Sequence, residues 1–186
     1  MSEKSKDSTA RHITITLEKR QVSCRARLLD DEAPRTAQAF WEGLPLSGQV
    51  YHGKYARNEI YNLVPAWSDT VPGTENTTVT PIPGDLCWFD FTADDLATPS
   101  HGYEAGGPRD VARIIDLALF YGRNNLLLNG DQGWVPGNVF GTIVEGFTEF
   151  AAACQDIWMS GARGETLTYA REEEPEARHE PIPMGT

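Results

Sequence analysis

The sequence predicts a mainly β protein, a closed barrel of about eight strands with two helices. Three observations predict it. Short runs alternate apolar and polar residues along most of the chain. Helical spacing of apolar residues is confined to two well-separated segments. Strands and helices do not alternate as parallel βαβ units would. The 186 residues, 40% of them hydrophobic, suit one domain with a sizeable core.

The elements follow in chain order. Ile13, Ile15 and Leu17 alternate with Thr14 and Thr16 as a half-buried strand. Val22, Cys24, Ala26 and Leu28 alternate with Ser23, Arg25 and Arg27 as a second, and the polar residues 18–21 turn between them. Asp30, Asp31 and Glu32 precede Pro34, which sets negative charge at the positive end of a helix dipole and proline in the first turn. Ala37, Phe40, Trp41 and Leu44 then form one apolar face, and Gly43 followed by Pro45 stops a helix running from 34 to about 42. Residues 49–55 and 58–64 read as a hairpin, and 65–83 as a long loop rich in Thr, Pro and Gly. Gly84 and Asp85 open a strand over 86–91, and a second long loop, 92–108, carries His101 and Tyr103. Residues 114–121 are apolar on both parities, a buried strand or a helix. Strands follow over 126–128 and 139–145. Thr148 is placed to cap a second helix, 149 to about 159, with Phe150, Cys154, Ile157 and Trp158 on its apolar face and Gly161 as its stop. Leu167 and Tyr169 mark a last strand. The folded domain is expected over 12–170. Residues 1–11 and the acidic, proline-bearing 171–186 have too little apolar surface to offset their ordering entropy.

The formal charge is −11, from 16 Lys and Arg against 27 Asp and Glu. Residues 58–108 hold eight acids and no base. Nothing resembles the Lys/Arg surface that displaces counterions from nucleic acid, and anionic membranes are disfavoured by the same charge. No run approaches the roughly 20 apolar residues of a spanning helix, and the first ten residues lack the hydrophobic centre of a signal peptide. Cys24, Cys87 and Cys154 are widely spaced in apolar segments, as expected of buried reduced thiols in a cytoplasmic protein. His12, His52, His101 and His179 lack zinc-site spacing, and no nucleotide-loop or hydrolase motif occurs, so neither metal nor cofactor is expected.

Two stretches carry a resemblance. Ala33-Pro34-Arg35-Thr36-Ala37 followed by Phe40 resembles the opening of the first helix of cyclophilins, and Val139 to Gly146 (VFGTIVEG) is similar to the strand before their second helix. The resemblance implies an eight-stranded barrel closed at each end by a helix. Arg35-Thr36, Phe40-Trp41, Leu44-Pro45-Leu46, Gly84-Asp85-Leu86 and Gly137-Asn138 look more like an uncharacterised bacterial family of cyclophilin-like domains of unknown function. Departures count against prolyl isomerase activity. Where cyclophilins carry a Phe-His-Arg triplet this chain has Tyr51-His52-Gly53, and the Gln-Gly-Gly-Asp stretch is absent.

The residues themselves offer one local constellation. Period-2 alternation places Arg57, Glu59 and Tyr61 on one face of the 51–64 hairpin, a guanidinium fork, a carboxylate and an aromatic ring that can clamp a polar ligand, or else form an ordinary solvated face. Arg123 follows Phe120-Tyr121-Gly122 and borders stretches empty of bases, so it can orient an anionic group. Trp134 sits in a glycine-flanked loop, open to a ligand or to another subunit. Three functions are therefore in view. The first is a pocket for a small polar or anionic metabolite near Arg57, Glu59, Tyr61, Arg123 and Trp134, with Glu59 or His52 as general base if it catalyses. The second is a non-catalytic, homo-oligomeric interaction module, and the third a residual prolyl isomerase.

Overall fold

A computed structural model describes residues 10–54, 56–92, 113–130 and 132–172. The expected disorder of residues 1–9 and 173–186, and His101, Tyr103 and His179, lie outside the described residues. The strands are β1 (His12–Leu17), β2 (Val22–Leu28), β3 (Leu46–Gln49), β4 (Tyr51–His52), β5 (Glu59–Pro65), β6 (Thr77–Thr78), β7 (Asp85–Thr92), β8 (Arg113–Phe120), β9 (Leu128–Asn129), β10 (Gly133–Trp134), β11 (Gly137–Glu145) and β12 (Thr166–Arg171). Helix α1 is Pro34–Gly43 and α2 is Phe147–Ser160. The fold is mainly β.

One large antiparallel sheet runs in the order β3-β12-β1-β2-β11-β7-β8-β5-β4, with β6 on the edge of β11; β9 and β10 form a separate small ribbon. The ladders do not join the two ends of this path. β3 nonetheless reaches β5, where Gly48 lies so close to Asn62 that a Cβ would meet its amide at 2.7 Å.

The alternation read in β1 and β2 is the burial seen, with Ile13, Ile15, Leu17, Ala26 and Leu28 at most 1% exposed. The ambiguous run 114–121 is the strand β8. It is apolar on both parities because it is covered on both faces: Ile115, Leu117 and Leu119 join the main core, while Ala118 and Phe120 join a second cluster with Cys87, Phe89, Leu127 and Val139. In the main core Phe40 of α1 meets Phe140 at 4.7 Å and the edge of Tyr169 at 5.5 Å.

Two helix readings need correction. The acids before α1 do not cap it. Asp30 pairs instead with Arg11, and no side chain at Ala33 supplies a cap. The carboxylate comes from 40 residues away in sequence: Glu75 accepts from the Arg35 and Thr36 backbone N–H groups (3.3 and 2.8 Å) and from the Thr36 hydroxyl (2.9 Å). Asn138 completes this clamp by donating to Thr36 Oγ1 at 3.1 Å and to the Gly73 carbonyl at 2.6 Å, while its Oδ1 accepts from the Glu75 N–H. Thus Arg35-Thr36 and Gly137-Asn138, the pair of motifs behind the family resemblance, meet in space. In α2 the buried face is Phe150, Ala153, Cys154 and Ile157, and the N-terminal residue is a left-handed Gly146 rather than Thr148. Trp158 lies off that face and is 59% exposed, because the stripe follows the 3.6-residue period through Ala153. Trp41 is half-buried, and the Arg11 and Arg171 guanidinium groups both lie over its ring at 5.2 and 5.1 Å.

Candidate functional site

The face of the sheet away from the main core carries a cavity where β5, β7 and β8 run side by side. Antiparallel register sets its floor. Tyr61 lies opposite Ala118, Asp116 lies opposite Leu63 on one side and Phe89 on the other, and Glu59 lies opposite Phe120. Glu59, Tyr61, Asp116, Phe89 and Phe91 therefore face one way. The segment Leu127, Leu128, Asn129, Gln132 and Val135, folded as the β9–β10 ribbon, closes the side; Leu127 is held by the Val79 carbonyl at 2.9 Å and in turn holds Val135 at 3.0 Å. The cleft contains about 700 Å³ of empty space, including open solvent at its mouth. Its walls are mostly apolar, with the Phe89 and Phe91 rings parallel within 3°.

Into this apolar cleft the fold places two carboxylates. Glu59 is 8% exposed, and its side chain occupies the space that a Cβ on Gly53 would take, so a glycine is required there. Asp116 is half-buried as a residue, but its Oδ1 is shut from solvent and has no hydrogen-bond partner among the described residues. Burial pushes Glu59 up to about 8. Burial, and then the negative charge of Glu59, push Asp116 well above the usual carboxylate range. Among the described lining residues Lys54 alone is cationic, and it stands exposed at the edge. Both shifts favour the protonated form, in which a carboxyl can donate a hydrogen bond as well as accept one.

The structure brings together two of the residues expected from the hairpin, Glu59 and Tyr61. Arg57 precedes β5 in a turn, is exposed and does not line the cleft. Arg123 and Trp134 are exposed and outside the lining as well, although Trp134 pairs with the lining residue Leu128. Arg123 sits on a segment fixed by Asn125, whose amide donates to the Pro81 and Gly122 carbonyls at 3.0 and 2.7 Å. The three expected anchors Arg57, Glu59 and Arg123 thus do not converge on this cleft, and its character is acidic rather than basic.

His52 faces the other side of the sheet. It lies opposite Ile60, one residue out of phase with Glu59. Its Nδ1 donates to the Gly53 carbonyl at 3.0 Å, which leaves Nε2 to accept from the Tyr121 hydroxyl at 2.6 Å. Burial lowers its pKa despite the Gly53 hydrogen bond, and the neutral ring packs on Trp158 at 4.8 Å. His52 and Glu59 cannot act on one atom.

Sequence reasoning missed Asp116, Phe89 and Phe91. One signal was available: Asp116 is an acid inside a run covered on both faces (IIDLALF), where a carboxylate is costly to bury unless something uses it. The cysteines are free and buried, and burial pushes Cys24 up to about 12, so these thiols are inert. Among the described residues no set of three His, Cys, Asp or Glu side chains is arranged to hold a metal ion, and no helix is long and apolar enough to cross a membrane.

A curled antiparallel sheet with two helices and an acid-bearing cleft on its outer face defines the class of protein. Residues 15–169 match the model of the family described as protein of unknown function (DUF3830), and the chain belongs to that family. Among curated proteins no sequence match was found. Among solved structures it is similar to McbB in complex with tryptophan, at 17% identity with a TM-score of 0.57, over 92% of this chain and 50% of that one, so it spans about half the length of McbB. It is also similar to the hypothetical protein AF2241 from Archaeoglobus fulgidus (18% identity, TM-score 0.48, covering 90% of this chain and 99% of that one). A third neighbour is the Mimivirus cyclophilin (14% identity, TM-score 0.47, 87% of each chain). The family expected from the helix and strand motifs, one of unknown function, is thus the kind of family to which the chain belongs.

Proposed function

We propose that the cleft between β5, β7, β8 and the β9–β10 ribbon binds a small molecule with an apolar, ring-sized body, and that Glu59 and Asp116 exchange a proton with it. The observation that carries this reading is the pair of carboxylates set in one mostly apolar cleft, one oxygen of which has no partner among the described residues. Burial that costs stability at both residues is explained by use. If the site catalyses, the ionised member of the pair removes a proton from the substrate and the protonated member returns one, with Glu59 as the leading base. McbB, which shares the fold, is in complex with tryptophan, a ligand with a flat apolar ring. The same proposal reads the curled sheet as a barrel closed by packing of β3 on β5 at Gly48 and Asn62, in a reducing cytoplasm that suits the three free thiols.

Thermal melting across a panel of small aromatic and polar metabolites tests it. Shifts are expected for ring-bearing members, lost in Glu59→Gln and retained in Arg57→Ala. A panel that leaves the melting temperature unmoved sinks the proposal.

A second reading, the homo-oligomeric interaction module, is favoured by the exposed apolar group Leu126, Leu128 and Trp134 beside the cleft, 43%, 43% and 58% exposed. Sedimentation over a hundredfold range of concentration, with Trp134→Ser as the comparison, decides it. Turnover of an Xaa-Pro peptide is not expected, since no Arg lines the cleft among its described residues.

A further inference from the structure

We infer that the occupant of the cleft is an organic cation, an aromatic ring carrying a protonated amine, rather than an anionic or neutral molecule. The inference rests on the small-molecule reading above and adds the class of ligand.

The argument is one of complementarity. A ligand buried in a cleft must satisfy the polar groups it covers, because an uncompensated charge or acceptor costs far more there than in water. The strongest polar groups in this lining are acceptors, the carboxylates of Glu59 and Asp116, and Oδ1 of Asp116 lacks a donor among the described residues. A bound anion would bring more negative charge to two acids whose own ionisation burial already disfavours, with Lys54, exposed, as the one cation among the described lining residues. A neutral hydrocarbon ring would fill the space between Phe89, Phe91 and Leu127 but leave the orphan oxygen unpaired. An ammonium group answers both needs: it supplies N–H donors and offsets the repulsion between the carboxylates. The ring then lies on apolar walls suited to offset or edge stacking. Around the site the field has the same sign. Asp85 lies close enough to add to the acid field at Cys87, the residue opposite Ala118 on the floor, and residues 58–92 contain no Lys or Arg.

A cation also changes the proton count. Placed beside the pair it favours the ionised form of both carboxyls, so binding near neutral pH expels protons and tightens as pH rises. The other titratable groups on this face are Tyr61, Lys54 and Cys87, and burial pushes the Cys87 thiol well above its ordinary value.

Isothermal titration of the full chain with three probes sharing one ring tests the inference: tryptamine, indole and indole-3-acetate, each in phosphate and in Tris at pH 7. Tryptamine is expected to bind about 10- to 100-fold more tightly than indole. It should release protons, revealed by different heats in the two buffers, while indole-3-acetate binds more weakly than either. Asp116→Asn should bring tryptamine down to the affinity of indole. Should that variant not fold, the wild-type affinity for tryptamine between pH 6 and 8 serves instead, and it must rise. Equal affinity for tryptamine and indole, or a preference for indole-3-acetate, overturns the cation assignment while leaving the cleft as a binding site. No binding of any probe overturns both readings.

Discussion

Two buried glutamates in this molecule have opposite fates. Glu165, wholly buried beside the turn between β1 and β2, accepts from the backbone N–H groups of Lys19, Arg20 and Thr166 at 2.7, 3.2 and 3.0 Å and from the Arg20 guanidinium at 3.0 Å. Desolvation alone would raise its pKa, but these donors hold it below the usual carboxylate range. Glu59 is nearly as buried, faces Phe89 and Leu127 across a cleft, and is pushed the other way, to about 8. Burial by itself does not decide the charge of an acid; the donors arranged around it do. Glu165 is a fastener, ionised in the fold and stabilising it. Glu59 and Asp116 weaken the fold at alkaline pH, as binding and catalytic groups commonly do.

The comparison can be broken in several ways. The largest effect is expected at the fastener. Glu165→Ala strands three backbone donors and takes from Arg20 one of its two carboxylate partners, leaving Asp156, and should cost about 3 kcal/mol in urea denaturation. Phe89→Ala removes a cleft wall that is 6% exposed and packs against Gly137. It should cost about 2 kcal/mol, less than a fully enclosed site because solvent can enter, and abolish ligand-dependent melting shifts.

Next come the cleft acids. Their folded pKa values lie above the unfolded ones, so the native state binds more protons and stability falls as pH rises from about 4.5 through about 8. His52 opposes this at first. Its lowered pKa makes the unfolded state the better proton binder, but only below its ordinary value near 6.5. Above that pH the carboxylates act alone. Melting temperature is therefore expected to decline from pH 6.5 to 8, and Glu59→Gln or Asp116→Asn should each flatten the decline and add about 1–2 kcal/mol at pH 8. A wild-type stability that is level across that window would contradict the proton held by the pair. Tyr121→Phe, which removes the donor to His52 Nε2, should cost about 1 kcal/mol and leave ligand shifts in place. The smallest change belongs to Arg57→Ala and Arg123→Ala, within about 0.5 kcal/mol, since both side chains are exposed and outside the cleft.

The sequence was most legible where one face of an element is wet. β1, β2 and the two helices announce themselves by periodicity, and Glu59 with Tyr61 came from the same rule applied to β5. The period fails where both faces are covered. In β8 every position from Ile114 to Phe120 is apolar except Asp116, so alternation carried no orientation and the second half of the acid pair went unseen. Long-range caps were equally hidden, for nothing near Pro34 says that Glu75 will satisfy the first turn of α1. Charge counting misled for a related reason. Arg57 and Arg123 border stretches without bases, which made them attractive anchors, but a lone Arg in a polar turn is most cheaply left in water. The cleft chemistry arose from cross-strand register between β5, β7 and β8, which single-strand patterns do not encode.

The place of β12 has a consequence for the newborn chain. Its partners are β1 and β3, strands made more than a hundred residues earlier, and its Leu167 and Tyr169 are fully inside the main core. Until residue 171 has emerged from the ribosome, β1 has an unpaired edge and Phe40 lacks the ring of Tyr169 that it packs against. Folding is therefore expected to wait until β12 has been made, with β1 and β2 exposed as a sticky hairpin meanwhile, and ribosome-bound chains stalled before β12 should be sensitive to protease and avid for chaperones.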